Sequence, residues 1–134
     1  NALTNASKRG VKVIIITPHI PDKKIVYALT KSSYITLIKA GVKIYEFTPG
    51  FMHAKNFICD DVFAVCGTIN FDYRSLIHHY ENGIWMYKSS IIKDMKRDFE
   101  NTINLSTLQT NESSYQNAIT RLIVGILKVF SPFF

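Results

Sequence analysis

A histidine and a lysine two positions apart, followed by a threonine and an asparagine, are the residues whose types and spacing could do chemistry. His53 and Lys55 are separated by one residue, and Thr68 and Asn70 follow in the segment "GTIN". A histidine can act as a nucleophile or a general acid, and an ammonium group, a hydroxyl and an amide can bind anionic oxygens. These groups suit a reaction at a phosphodiester, which needs a nucleophile at phosphorus, positive charge and an acid for the leaving alcohol.

A β-hairpin is the element that must position these side chains. Two strand-like segments, Met52–Cys59 and Val62–Cys66, flank an acidic turn. A turn of two residues is expected, either Asp60-Asp61 or Asp61-Val62. Because side chains alternate along a strand, both registers place the same set of residues on the face of the histidine and the lysine: Ala64, Cys66, Thr68 and Asn70.

The same hairpin assigns expected roles to Asp60 and to the cysteines. Asp60 falls at the turn, on the face opposite His53, where it would fix the hairpin. Cys59 and Cys66 would lie roughly 13 Å apart along the strands, against about 6 Å between the Cα atoms of a disulfide. They are expected to be reduced, which suits a cytoplasmic compartment. The alternative for the hairpin is an ordinary half-exposed ribbon whose histidine and lysine face solvent.

The composition indicates one folded domain with an affinity for anions. The chain has 134 residues, of which 47% are hydrophobic and 19% charged, so it can bury a core. Its net charge of +6 favours anionic partners, although a scattered basic surface without a partner is the alternative. The lysines are not clustered into a stripe for DNA. No metal site or cofactor is expected, and His78-His79 are interpreted as surface or core histidines.

Apolar periodicity predicts an α/β fold. Val11–Ile16 is typical of a strand buried on both faces, and Lys23–Ala40 has helical spacing that Gly41 ends. Val42–Phe47 predicts a second strand, so a parallel β-α-β unit is expected. Further expected elements are a strand at Ile84–Tyr87, a helix capped by Ser89 or Ser90 with the apolar stripe Ile92, Met95, Phe99 and Ile103, a polar link at residues 106–114 and a last apolar segment at Tyr115–Phe130. The predicted architecture is a mixed, largely parallel sheet flanked by helices.

The segment "HAKNFICD" followed by "GTIN" resembles the HKD motif of the phospholipase D superfamily. The flanking text, "IPDKKIVYALTKSSYITLIKAGVKIYEF" before it and "FDYRSLIHHYENGIWMY" after it, resembles the C-terminal half of bacterial cardiolipin synthases. The resemblance implies a single phospholipase D-like half-domain over residues 1–110, followed by a C-terminal helix and tail over residues 111–134.

This resemblance also implies an activity and site residues. Two phosphatidylglycerol molecules would become cardiolipin and glycerol through a covalent histidine intermediate, with no metal or cofactor. His53 would be one of two catalytic histidines, with Lys55 and Asp60 completing the motif. Among the other matched positions, Asn70 would bind phosphate with Lys55, Thr68 would replace a frequent serine in the phosphate site, and Glu81 would orient the motif histidine.

The chain departs from this family in having one motif where such enzymes use two. It is therefore expected to be a fragment that lacks the N-terminal half with its motif and membrane spans. Expected partners are phosphatidylglycerol or another anionic phospholipid, a membrane surface and that missing half, at the cytoplasmic face of a bacterial membrane and without nucleic acid. The alternatives are a homodimeric phosphodiesterase, either a phospholipase D or an endonuclease, and a non-catalytic half-domain that docks on membranes through Arg121–Phe134.

Overall fold

The computed structural model describes residues 1–114 and 124–127. Within them the chain forms two compact units, Asn1–Met52 with the described residues from 105 onward, called here the N-terminal unit, and His53–Asn104, called the hairpin unit. The elements in chain order are α1 Ala2–Lys8, β1 Ile14–Pro18, α2 Lys24–Lys39, β2 Lys43–Phe47, β3 Asn56–Cys59, β4 Phe63–Gly67, a π-helical turn Arg74–His78, β5 Gly83–Tyr87, α3 Ile91–Asn104 and β6 Ser106–Leu108.

The N-terminal unit contains the expected β-α-β unit. β1 and β2 pair in parallel, with Ile14 opposite Lys43 and Pro18 opposite Phe47. Gly41 ends α2 with φ +95°, and the backbone N–H of the next residue donates to the Leu37 carbonyl at 3.1 Å, which is the glycine-dependent way to close a helix. The predicted bounds of α2 and β2 are therefore confirmed to within one residue.

The first strand differs from its prediction. It begins at Ile14 instead of Val11, and its five residues are all half-buried. The strand order β1-β2-β6 makes β1 an edge of a three-stranded sheet, so it is not enclosed by neighbours as a central parallel strand would be. The core of this unit lies between the sheet and α2: Tyr34, Val42 and Ile44 are each at most 2% exposed, with Val13, Ile15, Leu37 and Ile38 packed against them.

The predicted polar link contains a strand. β6 pairs antiparallel with β2, with Ser106 opposite Phe47, and the Gln109 N–H donates to the Ile44 carbonyl at 2.8 Å. A strand of three residues without apolar alternation cannot be recognised from the sequence pattern. Its stability comes from pairing with a strand about sixty residues away in the chain.

The hairpin unit is an antiparallel sheet in the order β3-β4-β5. β4 is central, and its Ala64 is 2% exposed, while Ile92 of α3 is fully buried. The rest of the predicted α3 stripe is half-buried: Met95, Phe99 and Ile103. An ion pair between Lys96 of α3 and Asp61 joins this helix to the hairpin turn.

The α/β class and the helix-flanked sheets are confirmed, but parallel pairing is confined to β1 and β2 in the described part of the chain. The hairpin pairs with β5 in a second sheet, in which both strand pairs are antiparallel. Most of the predicted apolar segment Tyr115–Phe130, with its basic residues, lies outside the described residues; residues 124–127 are described, and they are helical with Val124 buried. No described helix is both long enough and apolar enough to cross a membrane.

Candidate functional site

The motif histidine and lysine lie in an extended segment that leads into β3. Asn56 is the first residue of the strand, so His53 and Lys55 precede it instead of lying within it as predicted. The Gly67 N–H still donates to the Lys55 carbonyl at 3.2 Å, which continues the pairing of β3 and β4 by one hydrogen bond. The Lys55 ammonium donates to the His53 carbonyl at 2.9 Å. The structure therefore brings the cation of the motif back onto the backbone of its histidine.

The register of the hairpin corrects the prediction by one residue. Cys59 pairs with Phe63 and Asn56 with Cys66, so the turn has three residues instead of two. Within this turn Asp60 and Asp61 both adopt left-handed backbone conformations, with φ of 51° and 57°, and the Val62 N–H donates to the Cys59 carbonyl at 3.1 Å. A shift of one residue exchanges the two faces of a strand.

This correction removes two residues from the predicted face. Ala64 pairs with Ile58, and Cys66 pairs with Asn56, so both lie on the face opposite the one that alternation gives Lys55. Thr68 and Asn70 lie beyond the end of β4, where the alternation of a strand no longer sets the direction of a side chain.

Both cysteines are free thiols, as predicted. Asp60 occupies the turn, and its carboxylate accepts a hydrogen bond from the Cys59 thiol at 3.6 Å. This bond and the negative charge of Asp60 raise the pKa of the Cys59 thiol. The position of Asp60 at the turn is as expected.

Gly67 is the point at which the hairpin meets β5 most closely. It pairs with Gly83, and a Cβ at Gly67 would lie 2.2 Å from the Asn82 carbonyl oxygen and 2.6 Å from the Gly83 Cα. Neither neighbour is a flexible side chain, so only glycine fits here. The close approach brings the loop that follows β4 against the loop that precedes β5.

Thr68 joins these two loops and holds Glu81. The Thr68 N–H donates to the Asn82 carbonyl at 2.8 Å, and the Asn82 N–H donates to the Thr68 hydroxyl at 3.0 Å. The hydroxyl in turn donates to the Glu81 carboxylate at 2.5 Å. Thr68 thus uses its backbone and side chain together to place a carboxylate beside the motif.

The Glu81 carboxylate has further polar neighbours. Hydrogen bonds from Thr68 and then Ser75, with smaller attractions from His79 and Lys55, lower the pKa of Glu81. Glu81 is therefore ionised at neutral pH and close enough to Lys55 to interact with its charge. The predicted hydrogen bond from His53 to Glu81 stays a prediction.

The sequence analysis did not identify two residues near Glu81 as site residues. Ser75 is 7% exposed within the π-helical turn. Its backbone N–H donates to the Asp72 carboxylate at 2.8 Å. His79, interpreted from the sequence as an ordinary surface or core residue, accepts a hydrogen bond from the Arg74 guanidinium at 3.2 Å. An isolated serine or histidine in this stretch has no periodic signal, although π-helical turns often occur at functional sites.

Asn70 is exposed in the loop that follows β4. The next residue, Phe71, lies with its ring 5.9 Å from the ring of Phe57 on β3. This contact holds the loop carrying Asn70 against the strand that follows Lys55. Within residues 1–114 and 124–127, no group of three or more His, Cys, Asp or Glu side chains is placed to hold a metal ion.

The chain is similar in sequence to known proteins over most of its length. Residues 1–103 match the family described as "Cardiolipin synthase, PLD-like domain". The chain is 36% identical over 134 residues to a cardiolipin synthase of Alkalihalophilus pseudofirmus, covering 98% of this chain and 26% of that protein. It is 38% identical over 117 residues to cardiolipin synthase 1 of Staphylococcus aureus, covering 87% of this chain and 24% of that protein.

An uncharacterized protein of Streptococcus mutans is 49% identical over 133 residues, covering 98% of this chain and 29% of its own length. The chain thus spans about a quarter of the length of the curated relatives that it matches. The chain belongs to the cardiolipin synthase family and carries its PLD-like domain.

Proposed function

We propose that the hairpin unit is one half of a phosphatidyl-transfer site that makes cardiolipin from two phosphatidylglycerol molecules. The observation that carries the proposal is the arrangement around the motif. The Lys55 ammonium lies on the backbone of His53, and the ionised Glu81 carboxylate is held next to it by Thr68. The relatives named as cardiolipin synthases support this choice of reaction.

The proposed reaction has two displacements at one phosphorus atom. In the first, a histidine nitrogen attacks the phosphorus of one phosphatidylglycerol, and the bond to its glycerol oxygen breaks as a second histidine protonates that oxygen. In the second, a hydroxyl of another phosphatidylglycerol loses its proton to the second histidine and attacks the phosphorus, and the phosphorus–nitrogen bond breaks. His53 is one member of this pair, and the other belongs to a second motif outside this chain.

The remaining residues have distinct proposed roles. Lys55 and the Asn70 amide bind the non-bridging oxygens, where positive charge and N–H donors oppose the developing negative charge. Glu81 positions the imidazole of His53 as a hydrogen-bond acceptor. The Thr68 hydroxyl donates its proton to Glu81, so this side chain positions the carboxylate. Any contact between Thr68 and phosphate would be made from the same loop. Asp60 stabilises the hairpin turn.

The whole protein that contains this chain would work at the cytoplasmic face of a bacterial membrane. Its proposed partners are anionic phospholipid, the membrane surface and an N-terminal half that supplies the second motif. The chain's net charge of +6 favours such a surface through attraction to anionic lipid.

The experiment is cardiolipin synthesis by the whole protein in phosphatidylglycerol vesicles. His53→Ala should lower the rate by about 10³-fold or more, as loss of a covalent nucleophile or its acid does elsewhere. His78→Ala is the matched control, since His78 is an exposed histidine of the same unit, and it should leave the rate unchanged. Unchanged synthesis in His53→Ala would overturn the proposal.

A second pair of variants tests the role given to Thr68. Thr68→Ser keeps the hydroxyl that donates to Glu81 and should retain most activity, whereas Thr68→Val removes it. Because that hydrogen bond lowers the pKa of Glu81, Thr68→Val should raise this pKa and move the acidic limb of the rate profile to higher pH. A profile that does not move would contradict the positioning role.

The alternative assignments predict different outcomes from the chain alone. A homodimeric phosphodiesterase predicts a dimer by sedimentation that cleaves phospholipid or plasmid DNA and loses this activity in His53→Ala. A docking module predicts vesicle binding that survives His53→Ala and fails when Arg121–Phe134 is removed. Either result, together with unchanged cardiolipin synthesis in the whole-protein variant, would replace the proposal.

A further inference from the structure

A buried carboxylate in the N-terminal unit is surrounded by donors from two parts of the fold, the residue that follows β1 and the helix α2. The side chain of Glu46, on β2, is 2% exposed. A buried charge of this kind is stable only when it is paired and its oxygens accept hydrogen bonds. Four side chains, called here the Glu46 cluster, meet this need: His19 Nδ1 at 3.0 Å, Tyr27 OH at 3.2 Å, Lys31 Nζ at 3.0 Å and Tyr34 OH at 3.1 Å.

The charges of the cluster decide which way its hydrogen bonds run. Burial raises the pKa of Glu46, but the hydrogen bonds from His19 and Lys31, the charge of Lys31 and the hydrogen bond from Tyr34 together outweigh burial, and the pKa is lowered overall. For Lys31, burial lowers the pKa, but the hydrogen bond to Glu46 and the attraction of its charge, with smaller contributions from Tyr27, together outweigh burial, so that pKa is raised. Both groups are therefore charged at neutral pH and compensate each other. Since an ionised carboxylate only accepts, the proton of the shared bond lies on His19 Nδ1.

His19 differs from the other members because much of its side chain faces solvent. It is 54% exposed, whereas Lys31 is 21% exposed. His19 directly follows β1, and its N–H donates to the Phe47 carbonyl at 3.1 Å. The ring therefore lies at the carboxyl ends of the two parallel strands, where α/β sheets place ligand sites. With Nδ1 on Glu46, the second ring nitrogen, Nε2, lies on the opposite side of the imidazole and is the remaining polar atom of the ring.

The loop that follows His19 and the first turn of α2 expose a cation and aliphatic side chains. Lys23 and Asp22 are exposed, and so are Ile20 at 45% and Ile25 at 50%. Large aliphatic side chains beside a basic residue are the composition that proteins present to the boundary between phosphate headgroups and acyl chains.

We propose that His19, oriented by Glu46, binds the phosphate of an anionic phospholipid at the carboxyl ends of β1 and β2. The protonated ring donates Nε2–H to a phosphate oxygen, Lys23 adds positive charge, and the neighbouring isoleucines contact the glycerol and the upper acyl chain. Glu46 is a positioning residue, since it holds the ring and does not touch the lipid. The choice of a phospholipid over another phosphate ligand rests on the proposed function of the hairpin unit.

The test uses the four histidines of the chain as reporters in one NMR titration. The wild-type chain is titrated with dihexanoylphosphatidylglycerol below its micelle concentration at about pH 6, where an ordinary histidine is largely protonated. The His19 ring resonances and the methyl resonances of Ile20 and Ile25 should shift together and saturate. Inorganic phosphate is the second arm, and it should shift the His19 ring only at much higher concentration.

Variants separate the roles of the residues. His19→Gln should weaken lipid binding about tenfold, the effect of losing one charge-assisted hydrogen bond. Ile25→Ser should weaken it roughly threefold through lost apolar contact. Glu46→Gln should change the nitrogen shifts that report the protonated ring position of His19 and weaken binding, whereas His78→Gln is the matched control and should bind as wild type does.

The outcomes distinguish this inference from the proposed function. A His19 resonance that does not move while His53 shifts overturns this inference and leaves the hairpin site intact. A shift at His19 without one at His53 supports this inference and counts against the proposed function, and no shift at either overturns both. Equal affinity for inorganic phosphate and lipid would overturn the phospholipid assignment.

Discussion

Glu46→Gln tests the strongest electrostatic feature of the fold. Glutamine keeps the size of the side chain but removes its charge, and this leaves the Lys31 ammonium, which is 21% exposed, without its counter-ion. Breaking a buried ion pair from one side costs about 3–5 kcal/mol, and the partial exposure of Lys31 places the expectation at about 3 kcal/mol. For a chain of this size we expect the unfolding temperature to fall by roughly 10 °C.

The assay is urea unfolding followed by far-UV circular dichroism at neutral pH. The matched control is Glu112→Gln, because Glu112 is exposed and its replacement should leave the midpoint unchanged. The double variant Glu46→Gln with Lys31→Met removes both charges and should recover part of the lost stability. A single variant within about 1 kcal/mol of wild type would refute the reasoning that a buried, charged carboxylate stabilises this unit.

The pH dependence gives a further check on the same group. The pKa of Glu46 in the folded chain lies below its ordinary value of 4.5, so the unfolded chain takes up this proton first as pH falls. The stabilisation is therefore fully present above pH 4.5 and is lost as pH falls through the lowered value of the folded state. The stability difference between wild type and Glu46→Gln should be constant near neutral pH and should shrink below pH 4.5. A difference that persists unchanged to about pH 3 would contradict this.

Two other predictions concern the hairpin. Gly67→Ala should destabilise the chain by about 2–3 kcal/mol, because its Cβ would lie 2.2 Å from the Asn82 carbonyl oxygen, which is backbone and cannot move aside. The measurement is a thermal melt. Gly50→Ala is the control and should be neutral, because a Cβ there meets nothing within 4 Å. Asp60→Asn keeps a residue that tolerates the left-handed turn and removes the charge that raises the pKa of Cys59. The pKa of this thiol should fall, so iodoacetamide should alkylate it faster at about pH 8, because the thiolate is the reactive form. An unchanged rate, with the other cysteine as internal reference, would show that Asp60 does not control the thiol.

Local patterns in the sequence were sufficient for the elements whose burial is periodic. Helical spacing ending at Gly41 gave α2, and the stripe that includes Ile92 gave α3. The parallel pairing of β1 and β2 followed from the helix between them, since such a crossover joins parallel strands. These predictions hold because each depends on residues close together in the chain.

The number of residues in the hairpin turn could not be predicted from local sequence patterns. Two or three turn residues suit the same acidic segment, and the pairing of Cys59 with Phe63 in the folded chain decides for three. One residue of difference moves Cys66 to the opposite face of β4. The types of the motif residues could thus be read from the sequence, but their shared face could not.

Long-range contacts decided the rest. The residues that could carry phosphodiester chemistry, His53, Lys55 and Asn70, were evident from their types and spacing alone. The attachment of Glu81 to Thr68 and the placing of His19 on the buried carboxylate of Glu46 join residues 13 and 27 positions apart. A periodic pattern in the sequence does not reveal such pairs, because their hydrogen bonds form only after the strands have aligned.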